Sequence, residues 1–333
     1  MLSLIIIILG TTFLLYTLLG GADFGAGIVE TFAGKKEEGT ITTAMAPVWE
    51  ANHVWLILAV VILFTGFPQV YALLSLVLHI PLMLVLLGII FRGSAFIFRQ
   101  YDVVQDNSHK YYTLLFRISS FITPVFLGMV LGAMVLGRIT LDHSKSFLEV
   151  FIFPWFNIFC IAMGIFSASL FAYISGIFLV GEAENDVERK MYARFSKRAM
   201  LTTMLMGLLV FGAAYLNGHN LVKEFLQSVY SIVTVFLATL LCPAIWHFLN
   251  KEKNKTLYLR VGVGMQVTLI LIGWFFIQFP VLIKIHDGEN LTFFNTQAPD
   301  ATLKQLLIAL IAGLILIVPG FIYLFRIFKI RGS

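Results

Sequence analysis

The chain has 333 residues, of which 59% are hydrophobic and only 12% charged, with a mean hydropathy of +0.92. Ordinary soluble domains carry roughly 25% charged residues, so this balance excludes a soluble enzyme and indicates an integral membrane protein. The formal charge of +5 includes no basic stripe suited to tracking phosphates. No nucleic-acid partner is expected, and the basic excess is read as a signal of topology.

Backbone groups in hydrocarbon must be paired within their own segment or within a closed barrel, and long continuous apolar runs select helices. With spans of roughly 20 residues, the sequence predicts an all-α bundle of nine transmembrane helices at 2–32, 48–70, 75–99, 112–139, 148–180, 197–216, 222–249, 257–283 and 302–329. These form a single transmembrane domain over 1–333. The first run lacks a basic leader and a small-residue cleavage pattern and is too long for a signal peptide, so it is expected to be retained. The fifth carries Pro154 near its start, where a tilt, a kink or an interfacial turn is expected. Seventeen Lys and Arg fall on one set of connections and five on the other, with Arg92 inside a helix. That asymmetry puts the N-terminus outside and the C-terminus in the cytoplasm, as a multi-pass protein of the cell membrane. No internal repeat is evident, and Cys160 and Cys242 lie in apolar runs without C-x-x-C spacing, which argues against a disulfide framework or a thiolate metal site.

The informative residues are the ionisable ones inside apolar runs, because a charge at the centre of a membrane helix costs roughly 2.5–3.5 kcal/mol unless it has a partner or a task. Asp23 sits among glycines in Gly20-Gly-Ala-Asp-Phe-Gly-Ala-Gly, Glu50 opens the second run, and Arg92 lies inside the third. On helical rise alone all three fall in the inner half of the membrane, so Asp23, Glu50 and Arg92 form a candidate proton relay. The same groups could instead lock helices together, and the Gly21-x-x-x-Gly25 pair could serve close packing alone. Glu50 and His53 share a helix face, with Asn52 beside them and Trp49 and Trp55 flanking. That arrangement suits a polar contact to a partner's cofactor or an interfacial helix start with aromatic anchors. His53 and His79 are the intramembrane candidates for haem ligation, against the plainer reading of hydrogen-bonded packing residues. A secondary transporter is the alternative function, since such proteins also keep acids and glycine-rich breaks near the midplane.

Four ordered motifs then give a resemblance. Gly20-Gly-Ala-Asp-Phe-Gly-Ala-Gly, Ala46-Pro-Val-Trp-Glu-Ala-Asn-His-Val-Trp, Leu63-Phe-Thr-Gly-Phe-Pro-Gln-Val-Tyr and Phe91-Arg-Gly-Ser-Ala-Phe-Ile-Phe-Arg resemble subunit II of cytochrome bd-type quinol oxidases, with weaker similarity through Phe279-Pro280 and 295–307. The resemblance implies a heterodimer with a haem-bearing subunit I that holds haem b and haem d, oxidises quinol and reduces dioxygen to water. It implies no haem or other metal bound by this chain's own ligands, and leaves a quinone as an open candidate beside the membrane lipid. Asp23, Glu50 and Arg92 fall on the matching acidic and guanidinium positions, and Trp49, Asn52, His53, Trp55 and Arg99 are candidate partner-facing positions. Gly20 stands where the resembling stretch has its first acid, the residue tied there to proton uptake. Either Asp23 and Glu50 suffice in this chain, or protons reach the complex through subunit I.

Overall fold

A computed structural model describes residues 1–32, 41, 52–101, 108–140, 142, 144–250, 256–286 and 288–325. Among them, eight helices are long and apolar enough to cross a membrane, or nine if one sharply bent pair counts as a span. The protein is a multi-pass helical bundle.

Helix α1 runs over Leu2–Phe32. One turn of it, Tyr16–Gly20, is π-helical. The predicted second span, 48–70, is cut short. Residues 48–51 lie outside the described residues, α2 occupies Val54–Gly66, and α3 leaves at 113° over Pro68–Val77. Pro68 is the cause, since it has no N–H to continue the ladder and its ring clashes with the preceding turn, while its fixed φ suits the first position of a new helix. The carbonyl of Gly66, left over at the end of α2, accepts a hydrogen bond from Ala298 N at 2.8 Å.

Helices α4 (His79–Tyr101) and α5 (Ser108–Leu136) follow. The predicted fifth span, 148–180, is two helices, α6 (Phe147–Phe151) and α7 (Ile158–Val180). Pro154 lies in the break, and Asn157 restarts the chain as an N-cap whose Oδ1 accepts from Cys160 N at 3.0 Å. The sixth span begins earlier than its apolar run. Helix α8 covers Asp186–Leu216, opened by Asn185 Oδ1 accepting from Glu188 N at 2.9 Å. Its first turns are charged, so hydropathy alone reads them as loop.

The seventh predicted span divides at Ser228, whose hydroxyl caps α10 (Val229–Phe248) after the short α9 (Leu221–Gln227). Helix α11 (Thr256–Gln278) stops before Pro280, and the two-stranded hairpin β1 (Val281–Ile283) and β2 (Leu291–Thr292) leads to α12 (Asp300–Phe325). The residue before a proline is biased away from helix, which is why the eighth span ends short of 283.

Helix α7 is the hub: it packs on α8, on α5 and on the second half of α1, while α10 and α11 form a hairpin joined to it through α11, and α12 lies on α2. Gly25 and Gly27 let α1 into this group. A Cβ at Gly25 would lie 2.0 Å from the Phe171 carbonyl oxygen of α7, and one at Gly27 would lie 2.2 Å from Ser120 Oγ of α5. Close approach is thus needed on two faces of one helix turn.

The connections at the hairpin end form their own clamp. Lys284 N and His286 N donate to Met134 O and Ile139 O at 2.9 and 2.8 Å. Lys284 Nζ is 2.7 Å from Glu224 of α9, and His219 Nε2 is 3.4 Å from the same carboxylate. Burial alone would raise the Glu224 carboxyl, but hydrogen bonds and charge from His219 and Lys284 hold it at about 2, below its ordinary 4.5. Because the folded-state value is depressed, this contribution to stability is fully present above pH 4.5 and is lost as pH falls toward 2. Glu224→Gln is therefore expected to flatten the acid-side decline of thermal stability in that window. A decline identical to that of the unsubstituted protein would contradict the clamp.

Candidate functional site: a ladder of buried ion pairs

Two carboxylates stand seven residues apart on α1, and two guanidiniums stand seven apart on α4. Seven residues is nearly two full turns, about 10.5 Å of rise, so each pair lies on one face of its helix. The pairs match in order. Arg92 Nη1 lies 2.7 Å from Asp23 Oδ2, and its Nη2 donates to Asp23 Oδ1 at 2.9 Å and to the Asp23 carbonyl at 2.8 Å. Arg99 Nη1 donates to both oxygens of Glu30, at 2.8 and 2.9 Å. The ascending order on both helices shows that α1 and α4 run the same way.

Helix α5 fills the space between and closes the ladder. Its Ser120 Oγ accepts from Arg92 Nε at 3.1 Å, and Arg117 Nε donates to Glu30 Oε1 at 3.0 Å. Phe116 is shared, with the Arg92 and Arg99 guanidiniums 4.9 and 4.4 Å from its ring centroid, and Phe24 lies 5.0 Å from Arg92. Asp23 and Glu30 are 0% exposed and Arg92 is 1%. Arginine suits this setting, because its charge is delocalised, always present and able to bind a carboxylate with two donors while its face lies on aromatic rings.

The structure brings together two of the three relay residues expected from sequence, Asp23 and Arg92. Glu50 and Trp49 lie outside the described residues. Asn52 is buried beside the π-helical turn, donating to Leu19 O at 3.3 Å. His53 lies between the Tyr16 and Phe24 rings, with centroids 6.3 and 5.8 Å away. Trp55 is buried against Phe321 of α12, and Arg99 is enclosed on Glu30. Asn52, Trp55 and Arg99 are thus buried by packing within this chain. Glu30, Arg117 and Ser120 were not among the residues singled out from sequence. The repeated seven-residue interval, 23 to 30 and 92 to 99, was the signal that would have found Glu30.

His53, His79 and His219 make their contacts within this chain. His79 Nδ1 is 2.8 Å from Leu76 O with its ring on Phe151, His219 engages Glu224 and Phe159, and His53 is packed on two aromatic rings. Among the described residues no three His, Cys, Asp or Glu side chains cluster as a metal site would require.

Fold and site together define a polytopic helical membrane protein that pairs ionised side chains inside its bundle. Residues 1–328 match the family described as cytochrome bd terminal oxidase subunit II. Subunit 2 of the cytochrome bd ubiquinol oxidase of Bacillus subtilis strain 168 is 24% identical over 98% of this chain and 95% of its own length. Subunit 2 of the cytochrome bd-I ubiquinol oxidase of Escherichia coli K12 is 28% identical over 39% of this chain and 35% of its own. The bd oxidase structure from Geobacillus thermodenitrificans superposes with a TM-score of 0.78 over 99% of this chain and 98% of that one, at 21% identity.

The chain belongs to the cytochrome bd terminal oxidase subunit II family. It is a subunit of a quinol-oxidising oxidoreductase complex, and membership implies a partner, subunit I, in which the haems reside. The transporter alternative finds no support in these matches.

Proposed function

We propose that this chain holds the haem-bearing subunit I in a heterodimer of the cell membrane, with its N-terminus outside and C-terminus in the cytoplasm, and that its ion ladder carries protons toward the site of dioxygen reduction. The complex oxidises quinol and supplies electrons through the partner's haems; a quinone bound against this chain belongs to the same reading. The chain acts as one domain over 1–333, with lipid around it. The observation that carries the reading is the Asp23–Arg92 pair, a carboxylate and a guanidinium fully enclosed in the bundle. A guanidinium keeps its proton, so Asp23 is the member able to take up and release one, while Arg92 orients it and stabilises its charged form. Glu50, near the start of the next helix, is the proposed donor to Asp23 from the cytoplasmic side.

The test is Asp23→Asn, which retains an oxygen for Arg92 to bind but cannot carry a proton. We expect dioxygen consumption per haem in the assembled two-subunit complex to fall by about tenfold or more, alongside the lower stability that loss of one member of a buried pair brings. Turnover at the unsubstituted rate in an intact complex would remove Asp23 from the mechanism.

A further inference from the structure

The π-helical turn Tyr16–Gly20 gathers polar groups that the ion ladder does not use. Tyr16 is 5% exposed and Asn52 3%, so this chain alone encloses them. Even so, the Tyr16 hydroxyl, Asn52 Oδ1 and His53 Nδ1 have no hydrogen-bonding partner among the described residues. Buried polar atoms are nearly always paired, so three orphans at one place point to an occupant. They are at one place: the Tyr16 and His53 ring centroids are 6.3 Å apart, and Asn52, adjacent to His53, is tied through its amide to Leu19 O in the same turn. Phe24 closes the cluster against His53 at 5.8 Å.

The sequence around the turn accounts for the position of the tyrosine. Its ring lies along the helix over Gly20, where an added Cβ would stand 2.9 Å from Tyr16 Cε2 and 3.0 Å from Cδ2. Any other residue at 20 would compete with the ring for this space. Phe24 is shared with the ion ladder, since the ring that faces His53 also lies 5.0 Å from the Arg92 guanidinium. The cluster therefore adjoins the buried pair on its N-terminal side along α1.

We infer that Tyr16, with His53 and Asn52, is the next link of the proton path beyond Asp23, and that the occupant bridging the three groups is water. Water is the molecule small enough for groups enclosed this closely and able both to donate and to accept. The step is neutral in tyrosine: a proton bonds to an Oη lone pair as the hydroxyl's own proton leaves to the bridging water, so one O–H bond forms as another breaks. Asp23 loses the proton that Tyr16 passes on. The inference rests on the relay reading of Asp23.

The experiment compares Tyr16→Phe and Asp23→Asn in the purified two-subunit complex, measuring dioxygen consumption with quinol in H2O and in D2O, alongside haem content. Tyr16→Phe keeps the ring over Gly20 and is expected to lower turnover about tenfold and to enlarge the solvent isotope effect, with haem content intact. A tyrosine that only packs would change neither kinetic quantity. If Asp23→Asn is slow while Tyr16→Phe matches the unsubstituted enzyme in rate and isotope effect, the Tyr16 link is overturned and the relay stands. If both are unchanged, both are overturned. Gly20→Ala, which displaces the ring but keeps the hydroxyl, is expected to give the same kinetic signature as Tyr16→Phe, and unaltered turnover in it would likewise overturn the link.

Discussion

Arg92→Met is expected to destabilise the protein by about 3–5 kcal/mol, because it leaves the Asp23 carboxylate enclosed without a counter-charge. Among the described residues, Arg92 is the cation paired with Asp23. Asp23 and Arg92 are almost completely buried, and the guanidinium supplies the contacts to both carboxylate oxygens. The loss would appear as a lower unfolding temperature and a reduced yield of haem-loaded complex. A second variant separates charge from packing. Asp23→Leu combined with Arg92→Met removes both ions, and apolar replacement of a buried pair is often neutral or stabilising. The double variant should therefore recover most of the stability and still lack fast turnover. If the single variant is as stable as the unsubstituted protein, the pair does not carry the electrostatic weight assigned to it.

The second large effect is expected at Glu30. Here one carboxylate receives Arg99 and Arg117, so Glu30→Gln brings two guanidiniums together around a neutral amide. We expect a loss of about 3 kcal/mol, read as a fall in unfolding temperature of the purified complex. The contrast is Arg117→Gln. The Arg117 side chain is 27% exposed and can be served by solvent, so its removal should cost no more than about 1 kcal/mol. Equal effects at Glu30 and Arg117 would mean that burial does not set the strength of the lower pair.

Much of the bundle is legible in the sequence because apolar length is a direct physical requirement of crossing a bilayer. What hydropathy cannot register is a change in the direction of the helix axis. Pro68 and Pro154 sit within largely apolar stretches, and the chain breaks at each because of backbone hydrogen bonding, not polarity, while Ser228 divides the seventh run by capping the helix that follows it. The early start of α8 escaped for the opposite reason: its first turns are charged although the helix is continuous. At the site, Asp23 and Arg92 were legible because an ionisable group inside hydrocarbon is conspicuous. Glu30 was not, since a carboxylate near a helix end passes for an interfacial residue. Its burial depends on Arg99 and Arg117 arriving from two other helices, a tertiary fact that only the matched seven-residue intervals hint at. Tyr16 was hidden further, because nothing in composition marks a π-helical turn or the side-chain direction it allows.

The central claim is that the Asp23 carboxyl gains and loses a proton while the oxidase turns over. Infrared difference spectroscopy of the two-subunit complex, comparing reduced and oxidised states, tests it most directly. The account predicts a protonated-carboxyl C=O band that changes between the states and is absent in Asp23→Asn. A difference spectrum in that region identical in the two proteins would contradict it.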